Sequence, residues 1–184
     1  MSEKLANNNL NYMRKALDLA RQSPPKPSNF RVGALVVDVA TDTVLATGYT
    51  LELPGNTHAE QCCFQKLAEK NGVTEEELAL LPEAKLPRQL ALYTTMEPCS
   101  FRMSGNLPCV QRVLRLATTG TLFPRKVTVY SGVMEPDTFV SKNTGRQTLE
   151  AAGVRFIHVP SLEDEILAVA KAGHAVLEGP QEHK

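Results

Sequence analysis

The residues with the most chemistry to offer are the histidine and glutamate of "THAEQC" and the two prolyl-cysteines of "EPCSFRMSGNLPC": His58, Glu60, Cys99 and Cys109. Zinc takes imidazole nitrogen and thiolate sulfur in tetrahedral geometry, and a catalytic site keeps three protein ligands with the fourth position left for water. His58, Cys99 and Cys109 make up such a set. Each cysteine follows a proline, and Cys109 opens a predicted helix, where unpaired amides and the dipole favour thiolate over thiol. Glu60, two residues from His58, stands near the ion but points elsewhere, which suits a proton carrier better than a fourth ligand. A rival arrangement adds Cys62, one helical turn after His58, to close a His-Cys-Cys-Cys site that would be structural and inert. It leaves Glu60 without a role, and Cys62 and Cys63 read as small apolar residues facing a sheet. His158, His174 and His183 read as histidines with no catalytic role, and Glu75 to Glu77 as a solvated helix start.

These residues need a scaffold, and the apolar pattern outlines one. Leu10, Met13, Ala16, Leu17 and Ala20 recur at helical spacing until "SPPKPS" stops the helix near Gln22. "FRVGALVVDV" is β-branched and almost continuously apolar, which predicts a central strand covered on both faces. The turn "ATDT" and a second strand over 44–50 make an antiparallel hairpin. A helix over 58–70, stopped by Gly72, carries His58 and Glu60 in its first turn. Residues 71–89 read as an insertion with a Thr74/Glu77 capping box, before the strand "LALYTTME". A helix over 109–116, the strand "KVTVYSGVM", a short helix over 144–152 and the strand "VRFIHV" follow. A final helix starts at Ser161 and turns Leu162, Ile166, Val169 and Ala170 inward. A helix between strands four and five implies a right-handed parallel crossover. The predicted fold is α/β, a three-layer α/β/α sandwich around a mixed five-stranded sheet.

At 184 residues the chain suits one domain, residues 1–184. Twenty basic and twenty acidic residues cancel, so the overall charge recommends neither nucleic acid nor an anionic membrane as partner. "MSEKLANNNL" lacks the apolar core of a secretory signal, and no apolar run reaches the roughly eighteen residues of a membrane span, so a cytoplasmic protein with a small substrate is expected. Four cysteines are few for a disulfide scaffold and leave thiols for a metal.

His-x-Glu with downstream prolyl-cysteines resembles the zinc-binding pattern of the cytidine deaminase superfamily, from helix one to the fifth strand. The parallel strands four and five resemble the branch holding tRNA adenosine, guanine and riboflavin-pathway deaminases. Nine residues separate Cys99 from Cys109 where the superfamily pattern has two. "SNFRVG", "GNTHAE" and "EPCSFRMSGNLPC" are similar to three stretches of the riboflavin-pathway deaminases, and "LELPGNTHAEQC" in a stand-alone chain resembles their fungal members. The resemblance implies a cytidine deaminase-like fold, a homodimer, and deamination of a ribitylated diaminopyrimidinone 5′-phosphate in riboflavin biosynthesis. It also implies zinc on His58, Cys99 and Cys109, proton transfer by Glu60, and a pyrimidine held by Asn29, by backbone near Ala59, and by Asp137. Phe30, Phe101 and Asp137 depart from the bacterial pattern, and no reductase domain is expected to follow. Arg102, Lys142 and Arg146 lie in loops that reach toward a substrate phosphate, though ordinary surface charge explains them as well. Two other readings stay open: a tRNA adenosine deaminase, disfavoured by the neutral charge, and an inactive zinc-stabilised partner subunit, disfavoured by Glu60.

Overall fold

The computed structural model describes residues 3–118, 124–136 and 143–174. The expected alternation is present: α1 (Glu3–Ala20), β1 (Gly33–Asp38), β2 (Thr43–Tyr49), α2 (Ala59–Asn71), a 3-10 helix (Glu76–Leu80), β3 (Gln89–Met96), α3 (Cys109–Thr118), β4 (Lys126–Val133), α4 (Gly145–Ala151), β5 (Arg155–His158) and α5 (Glu163–Ala170). The strands form one mixed sheet in the order β2-β1-β3-β4-β5. β1 is antiparallel to both β2 and β3, while β3, β4 and β5 run parallel through the crossovers α3 and α4.

β1 is buried at all six positions, as its apolar run predicts, and β3, buried from Leu90 to Met96, occupies the middle of the sheet. Burial on both faces marks an interior strand, and β1 lies inside the sheet between β2 and β3, as its pattern predicts.

Two apolar layers sandwich the sheet. Met13, Ala16 and Leu17 of α1 and Leu162, Ile166 and Ala170 at α5 pack with Leu35, Val37 and Tyr93 on one face. Phe64 and Leu67 of α2, Val110 and Val113 of α3 and Leu149 of α4 pack with Val36, Leu92 and Val129 on the other. α5 begins differently from expectation: Leu162 is its N-cap, and Ser161, at φ 88°, donates its amide to the Glu163 carboxylate at 2.8 Å.

Residues 71–89 brace α3. The Thr74 amide donates to the Glu77 carboxylate at 2.8 Å, the reach-back half of the expected capping box, and only a 3-10 turn follows. Glu75 is no solvated helix start: it makes an ion pair with Arg112 of α3 in which both side chains are largely buried. Arg125 holds the end of the same insertion by donating to the carbonyls of Ala79, Leu81 and Leu86. Among the described residues, no helix is long and apolar enough to cross a membrane.

Candidate active site

The three predicted metal ligands reach one point from two seams of the fold. His58 is the N-cap of α2, with extended backbone. Its seat depends on Gly48 of β2, where a Cβ would lie 2.2 Å from the Ala59 carbonyl oxygen, so only glycine lets α2 start this close to the strand. Cys99 stands in the loop after β3, and Cys109 is the first residue of α3. The Cys109 amide donates to the Cys99 sulfur at 3.4 Å, and the Val110 amide to the Cys99 carbonyl at 3.1 Å, so the start of α3 faces the other cysteine.

The donor atoms of His58, Cys99 and Cys109 lie within 4.8 Å of one another. His58 Nδ1 is 3.5 Å from Cys99 Sγ and 3.6 Å from Cys109 Sγ. Zn–S and Zn–N bonds meeting at a tetrahedral angle put nitrogen and sulfur about 3.6 Å apart, so the spacing and the donor chemistry both fit zinc. Cys62 does not join them: its thiol donates to the Tyr49 carbonyl at 3.5 Å, on the strand side of α2. The closed four-ligand arrangement is absent among the described residues.

The two cysteines are unequal. Cys99 is lowered to about 4, first because Cys109 donates its thiol to it and then through His58, against the opposing effect of burial. Cys109 is pushed upward by that same hydrogen bond, then by burial and the negative charge of Glu60. One thiolate is therefore ready before any metal arrives.

Glu60 lies in the first turn of α2, 3% exposed. Its Oε2 is 3.3 Å from the Cys109 sulfur, and its Oε1 is 3.2 Å from the Thr94 hydroxyl. Thr94 is also 2.9 Å from the Met96 carbonyl. A hydroxyl has one proton: Thr94 gives it to Glu60 when that side chain is a carboxylate, or to Met96 while accepting from Glu60 when it is an acid. Both protonation states are thus satisfied. Burial, then the charge on Cys99, raises the Glu60 carboxyl above the usual carboxylate range, in the direction a general base at neutral pH requires.

These groups open onto a cavity of about 390 Å³, a volume suited to a small ligand. His58, Glu60 and Cys99 line it, with Asn29, Phe30, Phe101, Glu97 and Glu135 among the other walls. Asn29 donates to the Asn56 side-chain oxygen at 2.9 Å. Ala59, the first residue of α2, is buried in the core and is not a cavity wall. Asp137 and Lys142 lie outside the described residues. Arg146 is exposed and paired with Glu150 at 3.0 Å. Arg102 is neither a free surface charge nor a loose loop cation: it is 6% exposed, donates to the Gln61 side-chain oxygen at 2.8 Å and to the Asn56 carbonyl, and ties the cysteine loop to α2.

Glu97 and Glu135 were not among the expected site residues. They follow the carboxyl ends of the parallel strands β3 and β4, where open α/β sheets bind ligands, and that rule was the available signal. Burial raises both carboxyls, Glu135 to about 8. Glu135 Oε2 is buried with no partner among the described residues. Three carboxyls around one cavity favour a polar ligand rich in hydrogen-bonding groups.

Residues 6–123 match the family described as the cytidine and deoxycytidylate deaminase zinc-binding region. The chain is 36% identical over 167 residues to a Schizosaccharomyces pombe protein named diaminohydroxyphosphoribosylamino-pyrimidine deaminase, covering 91% of this chain and 36% of that protein. It therefore spans about a third of the curated relative's length. The crystal structure of the Aspergillus oryzae Rib2 deaminase in complex with DARIPP, a C-terminal deletion mutant, superposes with a TM-score of 0.79 at 46% identity, covering 91% of this chain and 92% of that one. A Thermotoga maritima deaminase/reductase shares the fold at 24% identity and a TM-score of 0.66, over 91% of this chain and 40% of that one.

Proposed function

The chain belongs to the cytidine and deoxycytidylate deaminase family, and from that premise we propose that it is a zinc-dependent deaminase of a ribitylated diaminopyrimidinone 5′-phosphate in riboflavin biosynthesis, residues 1–184 acting as one domain. The observation carrying the proposal is the His58, Cys99 and Cys109 donor triangle with the Glu60 carboxyl beside it at the wall of a small cavity. The names of the Schizosaccharomyces and Aspergillus relatives, and the DARIPP ligand of the latter, support the choice of substrate.

His58, Cys99 and Cys109 hold the ion. Zinc, when bound there, supplies the Lewis acidity that makes water a nucleophile near neutral pH. Glu60 takes a proton from the water as its oxygen attacks the amine-bearing ring carbon, and delivers it to the neighbouring ring nitrogen. A second proton passes through Glu60 to the exocyclic nitrogen, which leaves as ammonia while the carbon becomes a carbonyl. The Thr94 hydroxyl keeps Glu60 hydrogen-bonded in both states, so the carboxyl cycles without a buried orphan. Asn29 presents a carboxamide, with donor and acceptor in one plane, to the edge of a flat ring. Glu135 offers an unpaired carboxyl oxygen to the ring's remaining N–H groups. Asp137 completes the ring contacts in this proposal, as does backbone near Ala59.

A cytoplasmic homodimer without nucleic acid is part of the proposal, supported by the family resemblance and the even charge balance. Ammonia release from phosphorylated and unphosphorylated ribitylated diaminopyrimidinones, with tRNA as a control, tests the reading. Turnover of the phosphorylated pyrimidine alone is the expected result. A zinc-loaded protein that releases no ammonia from either pyrimidine overturns it.

A further inference from the structure

Cys99 sits in irregular chain, where the Val110 amide of α3 holds its carbonyl at 3.1 Å but leaves the residues on either side to be held from elsewhere, and its sulfur must stand at one point relative to His58 and Cys109. The loop entering α4 meets this need. The Asn143 side-chain oxygen accepts the Ser100 amide at 2.9 Å, and its nitrogen donates to the Pro98 carbonyl at 3.2 Å. One carboxamide thus bridges the residues on either side of Cys99. The same oxygen accepts the Gly145 amide at 3.1 Å, which fixes the carboxamide to the start of α4.

The neighbouring contacts form a seam. The Thr144 amide donates to the Ser100 hydroxyl at 3.1 Å, and the Arg146 amide to the Glu97 carboxylate at 2.6 Å. A Cβ on Gly145 would lie 2.1 Å from the Pro98 carbonyl oxygen, so the two loops approach as closely as backbone permits. From Glu97 to Ser100, the stretch carrying Cys99 is therefore held by residues 143–146, more than forty positions away in sequence.

We propose that Asn143 is a positioning residue of the metal centre: its carboxamide grips the Pro98 carbonyl and the Ser100 amide and thereby sets the Cys99 sulfur at ligand distance from His58 and Cys109. The inference rests on the zinc reading of those three residues. Few side chains can do this work, because the grip needs a donor and an acceptor on one short planar group. Aspartate keeps the shape and the Ser100 contact but loses the donor to Pro98 and places a second negative charge beside the Cys99 thiolate.

The test compares the parent with Asn143→Ala, the isosteric Asn143→Asp, and Thr148→Ala. The last removes a 2.8 Å hydrogen bond to the Thr144 carbonyl, loosening α4 without touching the Cys99 loop. Zinc affinity is measured by chelator competition, the tetrahedral absorption of the cobalt-substituted protein reports ligand geometry, and metal-free melting reports fold. Removing a partner that orients a ligand costs roughly 10- to 100-fold in metal affinity. Both Asn143 variants are expected to lose about that much and to shift the cobalt spectrum, while Thr148→Ala keeps parental affinity with a lower melting temperature. Should Asn143→Ala fail to fold, Asn143→Asp carries the comparison. The proposal is overturned if the Asn143 variants bind zinc within about threefold of the parent, or if Thr148→Ala loses zinc equally. A parent that binds no zinc at all overturns the underlying reading of the triad instead.

Discussion

Glu60→Gln is the sharpest perturbation, because it separates proton transfer from everything else Glu60 does. The side chain is 3% exposed, and glutamine fills the same space. Its amide nitrogen can donate to the Thr94 hydroxyl, which then gives its own proton to the Met96 carbonyl at 2.9 Å, so the seat at Thr94 survives. Nor should folding suffer: burial disfavours the ionised carboxyl, and glutamine removes a group that burial opposes. What is lost is a group able to take and return a proton. One positioned acid or base contributes roughly 10²- to 10⁴-fold, and in the proposed mechanism Glu60 serves both transfers, which puts the expected loss in kcat near the upper end, about 10⁴-fold. At 1.36 kcal/mol per tenfold, this is about 5 kcal/mol of transition-state stabilisation. The assay pairs steady-state ammonia release with metal analysis and thermal melting. Unchanged zinc content, a melting temperature within a few degrees of the parent and a collapse of kcat are expected. A variant that keeps more than about a tenth of parental kcat with its zinc in place refutes Glu60 as the proton carrier.

Cys62→Ala should retain full zinc content at a stability cost of about 1 kcal/mol, since its thiol bonds the Tyr49 carbonyl and not the metal ligands; loss of metal would revive the four-ligand site. Stripping zinc with a chelator should expose one fast-alkylating cysteine, Cys99. Its thiolate, lowered to about 4, stays ionised as pH falls from 8 to 5, so its labelling rate should stay nearly flat there; a tenfold fall per pH unit contradicts the assignment. Glu75→Ala leaves the buried Arg112 guanidinium without its counter-charge and should cost about 3 kcal/mol in denaturant melts, with Arg112→Met in the same chain restoring most of it; a loss under 1 kcal/mol would mean that the insertion does not brace α3. Gly48→Ala should cost roughly 1–3 kcal/mol and weaken zinc binding together, because the new methyl meets the Ala59 carbonyl at the start of α2; a parental melting curve would show that the contact yields.

The chemistry was legible because ligand identity is written in residue type: an imidazole, two thiols and a carboxylate at this spacing leave few uses. The strand and helix order followed from apolar periodicity, and the parallel crossover from strand four to strand five from the helix between them, whereas the parallel pairing of β3 with β4 came only with the structure. Arg102 was not legible. A loop arginine looks the same in sequence whether it meets solvent or, as here, donates to Asn56 and Gln61 from a buried position. The Glu75 ion pair was hidden for the same reason, since an acidic helix start normally faces water and only the fold brings Arg112 against it.

The site's framework was the least readable part, and the spacing of the cysteines explains why it is needed. With nine residues between them, Cys99 and Cys109 cannot position each other through a single tight turn, so each is fixed from outside its own loop. Cys109 takes its place from the first turn of α3, which Glu75 and Arg112 hold against the insertion. Cys99 is held by the Val110 amide of α3 and flanked by bonds from residues 143–146 at the entrance to α4, and Arg102 ties the loop between the cysteines back to the helix that carries Glu60. A sequence displays the donors of such a site, whereas the groups that aim them are polar side chains whose partners are set only once distant segments meet.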